Sequence, residues 1–178
     1  MTCRELIQNC EAQNKELLAR AEKAQAALSP QQWNEAPAGG WSPAQIFEHM
    51  TLANAPYIEV LERELPTAPM GDESRVRHTL FGKMIHKVSG PSGNAPAPKN
   101  LHPSTKKHTR EIYSQWRDQQ ERIIELHEMA KGKNLSAVKV KNPFLKLFKM
   151  TLCDFFAILS AHTERHVGQI EERARASK

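Results

Sequence analysis

No uninterrupted apolar run in the sequence approaches the roughly 18 residues that a membrane span needs. Cysteine is scarce. Cys3, Cys10 and Cys153 are odd in number and form no CxxC pair, which argues against a disulfide framework. Cys3 and Cys10 are seven apart on one helical face and read as packing, and none of the three has a nucleophile's local context. Aromatics are only 6% and β-branched runs are few, which argues against a β-sandwich. The N-terminal stretch MTCRELIQNCEAQNKELLAR is charged throughout and lacks the apolar core of a secretory leader, so a cytoplasmic protein with no membrane partner is expected. Internal repeats are absent, as are zinc-finger, RNP-type and helix-turn-helix signatures, so nucleic acid is not an expected partner. Acids are missing between Met129 and Cys153, where six lysines stand (Lys131, Lys133, Lys139, Lys141, Lys146 and Lys149). Such a run is a solvating loop charge or a patch that attracts anions.

What remains is ordinary globular material. The chain has 178 residues, 39% of them hydrophobic and 25% charged. One domain over 1–178 is expected, able to bury about 70% of its unfolded surface without disulfide or metal.

Four helices are predicted. The first covers about Thr2–Leu28, with Thr2 and Glu5 at capping-box spacing and Leu6, Cys10, Leu17, Ala21, Ala24 and Leu28 on one face. Ser29-Pro30 reads as its breaker and Pro37–Gly40 as a loop. The second starts at Ser42, with Pro43 as first helical residue and Gln45 three after the cap, and ends near Leu65-Pro66. Pro56 inside it predicts a kink. Residues 66–104 hold six of the eleven prolines and read as an irregular crossover insertion, with a short helix over about Arg75–Val88. The third helix covers about Thr105–Ala130 with Gly132 as its stop, and the fourth about Leu147–Arg173. Between them, LSAVKVKNPFLKLF alternates towards a loop or short strand. The fold class is therefore all-α: a four-helix bundle whose long crossover joins helices two and three, up-down-down-up.

The chemistry lies in histidines on faces that should be apolar. The inward stripe of helix four reads Leu152, Phe155, Phe156, Leu159, His162, His166, Ile170. His162 and His166 are one turn apart and point the same way, a common bidentate grip on Zn²⁺ or Ni²⁺. Helix two repeats the anomaly at His49. At about 1.5 Å rise per residue, antiparallel packing of helices two and four brings all three to nearly one level. HTERH is not the HExxH of zinc proteases, and the Glu-x-x-His pairs of a ferritin-like di-iron site are absent. A mononuclear three-histidine site would leave positions open for water or substrate, unlike a structural metal, and buried neutral histidines without metal are the alternative. His78, His86, His102, His108 and His127 read as surface. Gln169, one turn from His166, supports that ring or simply packs. Glu48 and Glu164 point elsewhere, so the catalytic base is unassigned. Trp33 and Trp41 read as loop anchors, and Phe155, Phe156 and Leu159 as core and pocket wall.

Two segments carry a resemblance. LSPQQWNEAPAGGWSPAQIFEHM (28–50) resembles the first signature of the DinB/YfiT-like superfamily, a Trp-Ser helix start before a metal histidine. KNPFLKLFKMTLCDFFAILSAHTERHVGQIEE (141–172) resembles the second, ending in H-x-x-x-H-x-x-Q-I. The resemblance implies a four-helix bundle, often dimeric, with a divalent metal on His49, His162 and His166. It also implies a metalloenzyme acting on a small molecule. One form is a transferase or isomerase using a low-molecular-weight thiol such as mycothiol or bacillithiol, for which basic residues at the mouth would hold the thiol's carboxylates. The other is a metal-dependent hydrolase. A homodimeric bundle that binds metal without catalysis is the competing class.

Overall fold

The computed structural model describes residues 1–94 and 96–175. The four long helices are α1 (Cys3–Ala26), α3 (Pro43–Glu64), α5 (Glu111–Ala130) and α6 (Leu152–Arg175). Two short helices, α2 (Pro30–Trp33) and α4 (Leu80–Ser89), and a hairpin of β1 (Lys139–Lys141) with β2 (Lys149–Thr151) complete the regular structure. The fold is all-α apart from that antiparallel hairpin. Among the described residues no helix is long and apolar enough to cross a membrane.

Side-chain pairs fix the directions. Asn14 bonds Ser160 and Arg20 pairs with Glu171, so α1 and α6 run parallel. Phe47 meets Trp116 and Glu62 meets Arg122, so α3 and α5 run parallel. His49 meets His166 while Tyr57 meets Phe155, so α3 and α6 are antiparallel. The 46-residue connection from Leu65 to Arg110, which contains α4, lets α3 and α5 share a direction.

Capping explains most helix starts. Thr2 and Glu5 form the reciprocal box of α1, and Ser42 with Gln45 that of α3, with Pro43 in the first turn. Ser29-Pro30 turns out to be a start as well as a break: Ser29 and Gln32 make the same box and open α2. α3 continues through Pro56 to Glu64. Gly132, at φ +78°, follows the end of α5 in the left-handed conformation that glycine tolerates best.

Three boundaries differ from those predicted. α5 starts at Glu111 rather than near Thr105, because the preceding loop is tied down elsewhere: the Asn34 side chain bonds both the His108 N–H and its carbonyl, and Arg110 donates to the Gln25 and Leu28 carbonyls. α6 starts at Leu152 rather than Leu147, because Lys149–Thr151 pairs with β1. α4 starts at Leu80 rather than Arg75, since Thr79 caps it and residues 75–79 are non-helical.

The interior falls into two apolar clusters. One is built around Ile7, Leu61, Ile123, Leu126, Phe155 and Phe156, the other around Leu17, Phe47, Met50, Trp116 and Ile170. Buried polar residues separate them: Asn14 on α1, Asn54 on α3, Gln120 on α5, and Ser160 and Thr163 on α6. Asn14 donates to Ser160 and Gln120 to Thr163. The histidines of α3 and α6 lie at this same break in the apolar core.

The crossover is anchored on Asp154, whose carboxylate is buried in the first turn of α6. It accepts from His78 Nδ1 at 2.8 Å, from the Thr79 N–H and hydroxyl, and from the Thr151 N–H. Burial alone would raise its pKa, but His78 and the threonine donors outweigh that and hold it below the usual carboxylate value. A Cβ on Gly82 would lie 2.1 Å from Asp154 Cγ, so glycine alone lets α4 sit on this carboxylate.

Several histidines read as surface belong to the structure instead. His127 is fully buried against Phe156, His78 is the partner of Asp154, and His108 is half-buried 3.1 Å from Glu48. His86 and His102 are exposed.

Candidate metal centre

The antiparallel pairing of α3 and α6 brings His49, in the second turn of α3, against His162 and His166 on successive turns of α6. Ring centroids are 5.1 Å apart for His49–His162, 4.7 Å for His49–His166 and 4.5 Å for His162–His166. One ligating nitrogen from each ring lies within 4.8 Å of the other two, close enough for the group to hold a metal ion. Among the described residues it is the only such group of three or more.

Hydrogen bonds orient two of the rings. His49 Nδ1 lies 2.8 Å from the Leu101 carbonyl, which can only accept, so Nδ1 carries the proton and Nε2 keeps its lone pair. His166 Nδ1 donates to Gln169 Oε1 at 2.8 Å with the same consequence. Such bonds hold metal-ligating imidazoles in the required tautomer. The His49 and His162 Nε2 atoms are 3.1 Å apart. Two imidazole nitrogens bound at about 2.0–2.1 Å to one tetrahedral ion would stand about 3.3 Å apart, so the donor set fits.

The electrostatics favour neutral rings. Burial lowers the pKa of His49, with the Leu101 carbonyl opposing. Burial and the other two imidazoles hold His162 well below its ordinary value. Burial, then His49, push His166 down to about 3 even though Gln169 favours its charged form. The result is three neutral nitrogen donors at pH 7.

The cluster opens on a cavity of about 670 Å³ between α3, α6 and the crossover. Ile46, Ala53, Ile158 and Leu159 form its apolar floor, and Trp41 lies 4.7 Å from the His49 ring. Trp41 is thus a wall of the cavity rather than only a loop anchor, whereas Trp33 is buried against Phe47 as an anchor. Leu159 lines the cavity, while Phe155 and Phe156 stay in the core. Asn54 reaches the wall fully buried, with no partner for either side-chain polar atom among the described residues. No carboxylate, lysine or cysteine lines the cavity among the described residues; its charged residues besides histidine are Arg165 and Arg173. The mouth is therefore basic through arginines of α6, not through the lysine run. Arg165 donates to the Val88 carbonyl and so ties α6 to the crossover.

Glu48 accepts from the Ser104 N–H and lies by His108, and Glu164 accepts from Gln13. Neither reaches the cavity, as their helical positions imply. The Leu101 carbonyl could not be found from sequence, because a backbone acceptor on an irregular crossover leaves no pattern. Arg165 did leave one: it stands three residues after His162, on nearly the same face.

The family profile described as DinB superfamily matches residues 13–170, most of the chain. No curated protein and no solved structure matches.

Proposed function

The chain belongs to the DinB superfamily, and from that premise we propose that it is a metal-dependent enzyme transferring the sulfur of a small thiol to an electrophile. His49, His162 and His166 would hold one divalent ion, zinc or nickel. Bound there, the ion would supply Lewis acidity and lower the pKa of a thiol that joins it.

One observation carries the choice of chemistry: the cavity presents arginines and no carboxylate. Hydrolysis at a metal centre commonly enlists a carboxylate as general base, and neither Glu48 nor Glu164 reaches the cavity. An anionic co-substrate suits the Arg165 guanidinium better, and a low-molecular-weight thiol bearing carboxylates is such an anion. The cavity wall contains no cysteine, and Cys3, Cys10 and Cys153 are all buried in the core, so the sulfur must come from outside the protein. Arg165 would grip the thiol's carboxylate, Trp41 and Leu159 would exclude water, and Leu101 and Gln169 would keep the imidazoles aimed. The thiol gives up its proton to solvent as it enters the cavity, a carbon–sulfur bond forms, and the leaving group departs with its electron pair.

The test is consumption of an alkyl halide by zinc-loaded protein with a carboxylated thiol, beside 2-mercaptoethanol. Arg165→Ala is expected to raise KM for the carboxylated thiol by about tenfold and to leave 2-mercaptoethanol little changed. Thiol-independent cleavage of esters or amides by the same protein would make it a hydrolase and overturn this reading.

A further inference from the structure

Charge is divided unevenly along the chain. Residues 74–110 and 129–153 contain fourteen of the 25 lysines and arginines and none of the 20 acids. The remaining 116 residues hold eleven cations against all twenty acids. The fold brings parts of these acid-free segments together: α4 packs on β2, and Phe81 of α4 stacks on Phe148 of the hairpin loop at 4.2 Å with the rings nearly coplanar. Lys83 and Lys87 on α4, and Lys139, Lys141, Lys146 and Lys149 on the hairpin, are exposed. None of the six makes an ion pair among the described residues.

Apolar side chains stand among these lysines. Leu80 is 87% exposed and Leu147 89%, and Met84, Leu145 and Phe148 are also exposed. They cluster on the two segments that the Phe81–Phe148 stack joins. A solubilising charge run has no use for five large apolar groups in water, and an apolar patch ringed by polar groups marks an interaction surface.

We propose that the face formed by α4 and the β1–β2 hairpin docks on an anionic lipid surface, with Leu80, Leu147 and Phe148 entering the headgroup boundary and the lysines on the lipid phosphates. Charge complementarity requires an anionic partner, and the projecting leucines require one that also accepts hydrocarbon. A duplex nucleic acid meets the first requirement and not the second. A second copy meets the second, but a two-fold contact would set lysines against lysines. Contact from one side needs no spanning helix, and the described residues contain none. Ile85, Val88, Phe144 and Leu145 of the same segments line the cavity, so docking sets its opening beside the lipid.

The test is co-sedimentation of the full chain with phosphatidylcholine vesicles, pure or with about 30 mol % phosphatidylglycerol. Binding is expected to be at least about tenfold stronger to the anionic vesicles and to weaken at about 0.5 M salt. The exposed pairs Leu80→Ser with Leu147→Ser, and Lys146→Glu with Lys149→Glu, should each remove most of it while far-UV circular dichroism is unchanged. No binding to anionic vesicles would overturn the proposal. So would leucine variants that bind like the parent, duplex DNA binding as tight as vesicle binding, or a homodimer that the leucine pair dissociates.

Discussion

Replacing His162 and His166 together by alanine is expected to lower affinity for zinc by at least about a thousandfold, leaving His49 as the only imidazole of the cluster. The helices should survive. Both rings are neutral and face a cavity, so their removal leaves no buried charge unpaired and costs about 1–2 kcal/mol of stability in metal-free buffer. Gln169→Leu should act more mildly. It removes the acceptor that holds His166 Nδ1–H, leaves all three nitrogens in place, and should weaken zinc binding between about ten- and a hundredfold. Titration calorimetry separates the two classes. If the double variant kept the parent's affinity, the ion would lie elsewhere.

The second large effect is a pH dependence from His127, which is buried on α5 against Phe156 and remote from the three-histidine cluster in the other half of the core. Burial pushes its pKa down to about 4; the Ile123 carbonyl, Glu11 and Glu128 favour the cation, Lys15 opposes it, and together they do not restore the ordinary value. A base whose folded pKa is depressed binds fewer protons folded than unfolded. Its neutral form therefore costs nothing above pH 6.5, and stability falls as pH drops from about 6.5 towards 4, levelling below that. At pH 4.5 the loss from this group is about 2.5 kcal/mol. His127→Leu removes it. The variant should match the parent or exceed it slightly at pH 7.5 and exceed it by about 2–3 kcal/mol at pH 4.5 in urea unfolding. Equal differences at both pH values would mean that His127 does not titrate on unfolding.

His127 also shows where sequence reading stops. It lies four residues after Ile123 and seven after Gln120, on the buried face of α5, but Gln120 beside it on that stripe makes the pair read as a solvent face. Asn14 and Asn54 are hidden the same way. The triad was legible for the opposite reason: His162 and His166 interrupt a stripe otherwise made of phenylalanine, leucine and isoleucine, so their inward direction was fixed by their neighbours. The four long helices were legible because Thr2, Ser42 and Gly132 punctuate strong apolar periods. The ends that moved are set by distant partners. Asn34 and the α1 terminus hold the loop before α5, and β1 draws off the first residues assigned to α6. The charge division was half visible, since the lysine run of the hairpin stands out in the chain. Its apposition to the equally acid-free α4 rests on long-range packing, including the seat of α4 on Asp154 and an aromatic stack across 67 positions.

Metal binding by these three imidazoles is open to direct measurement. Elemental analysis of untagged protein, as purified and after dialysis against zinc and nickel, tests it directly. Close to one divalent ion per chain is expected, retained through gel filtration at about pH 7.5 and lost from the His162→Ala/His166→Ala protein. A chain that stays metal-free after exposure to both ions would contradict it, and the cluster would then be three neutral imidazoles packed at the break between two halves of a core.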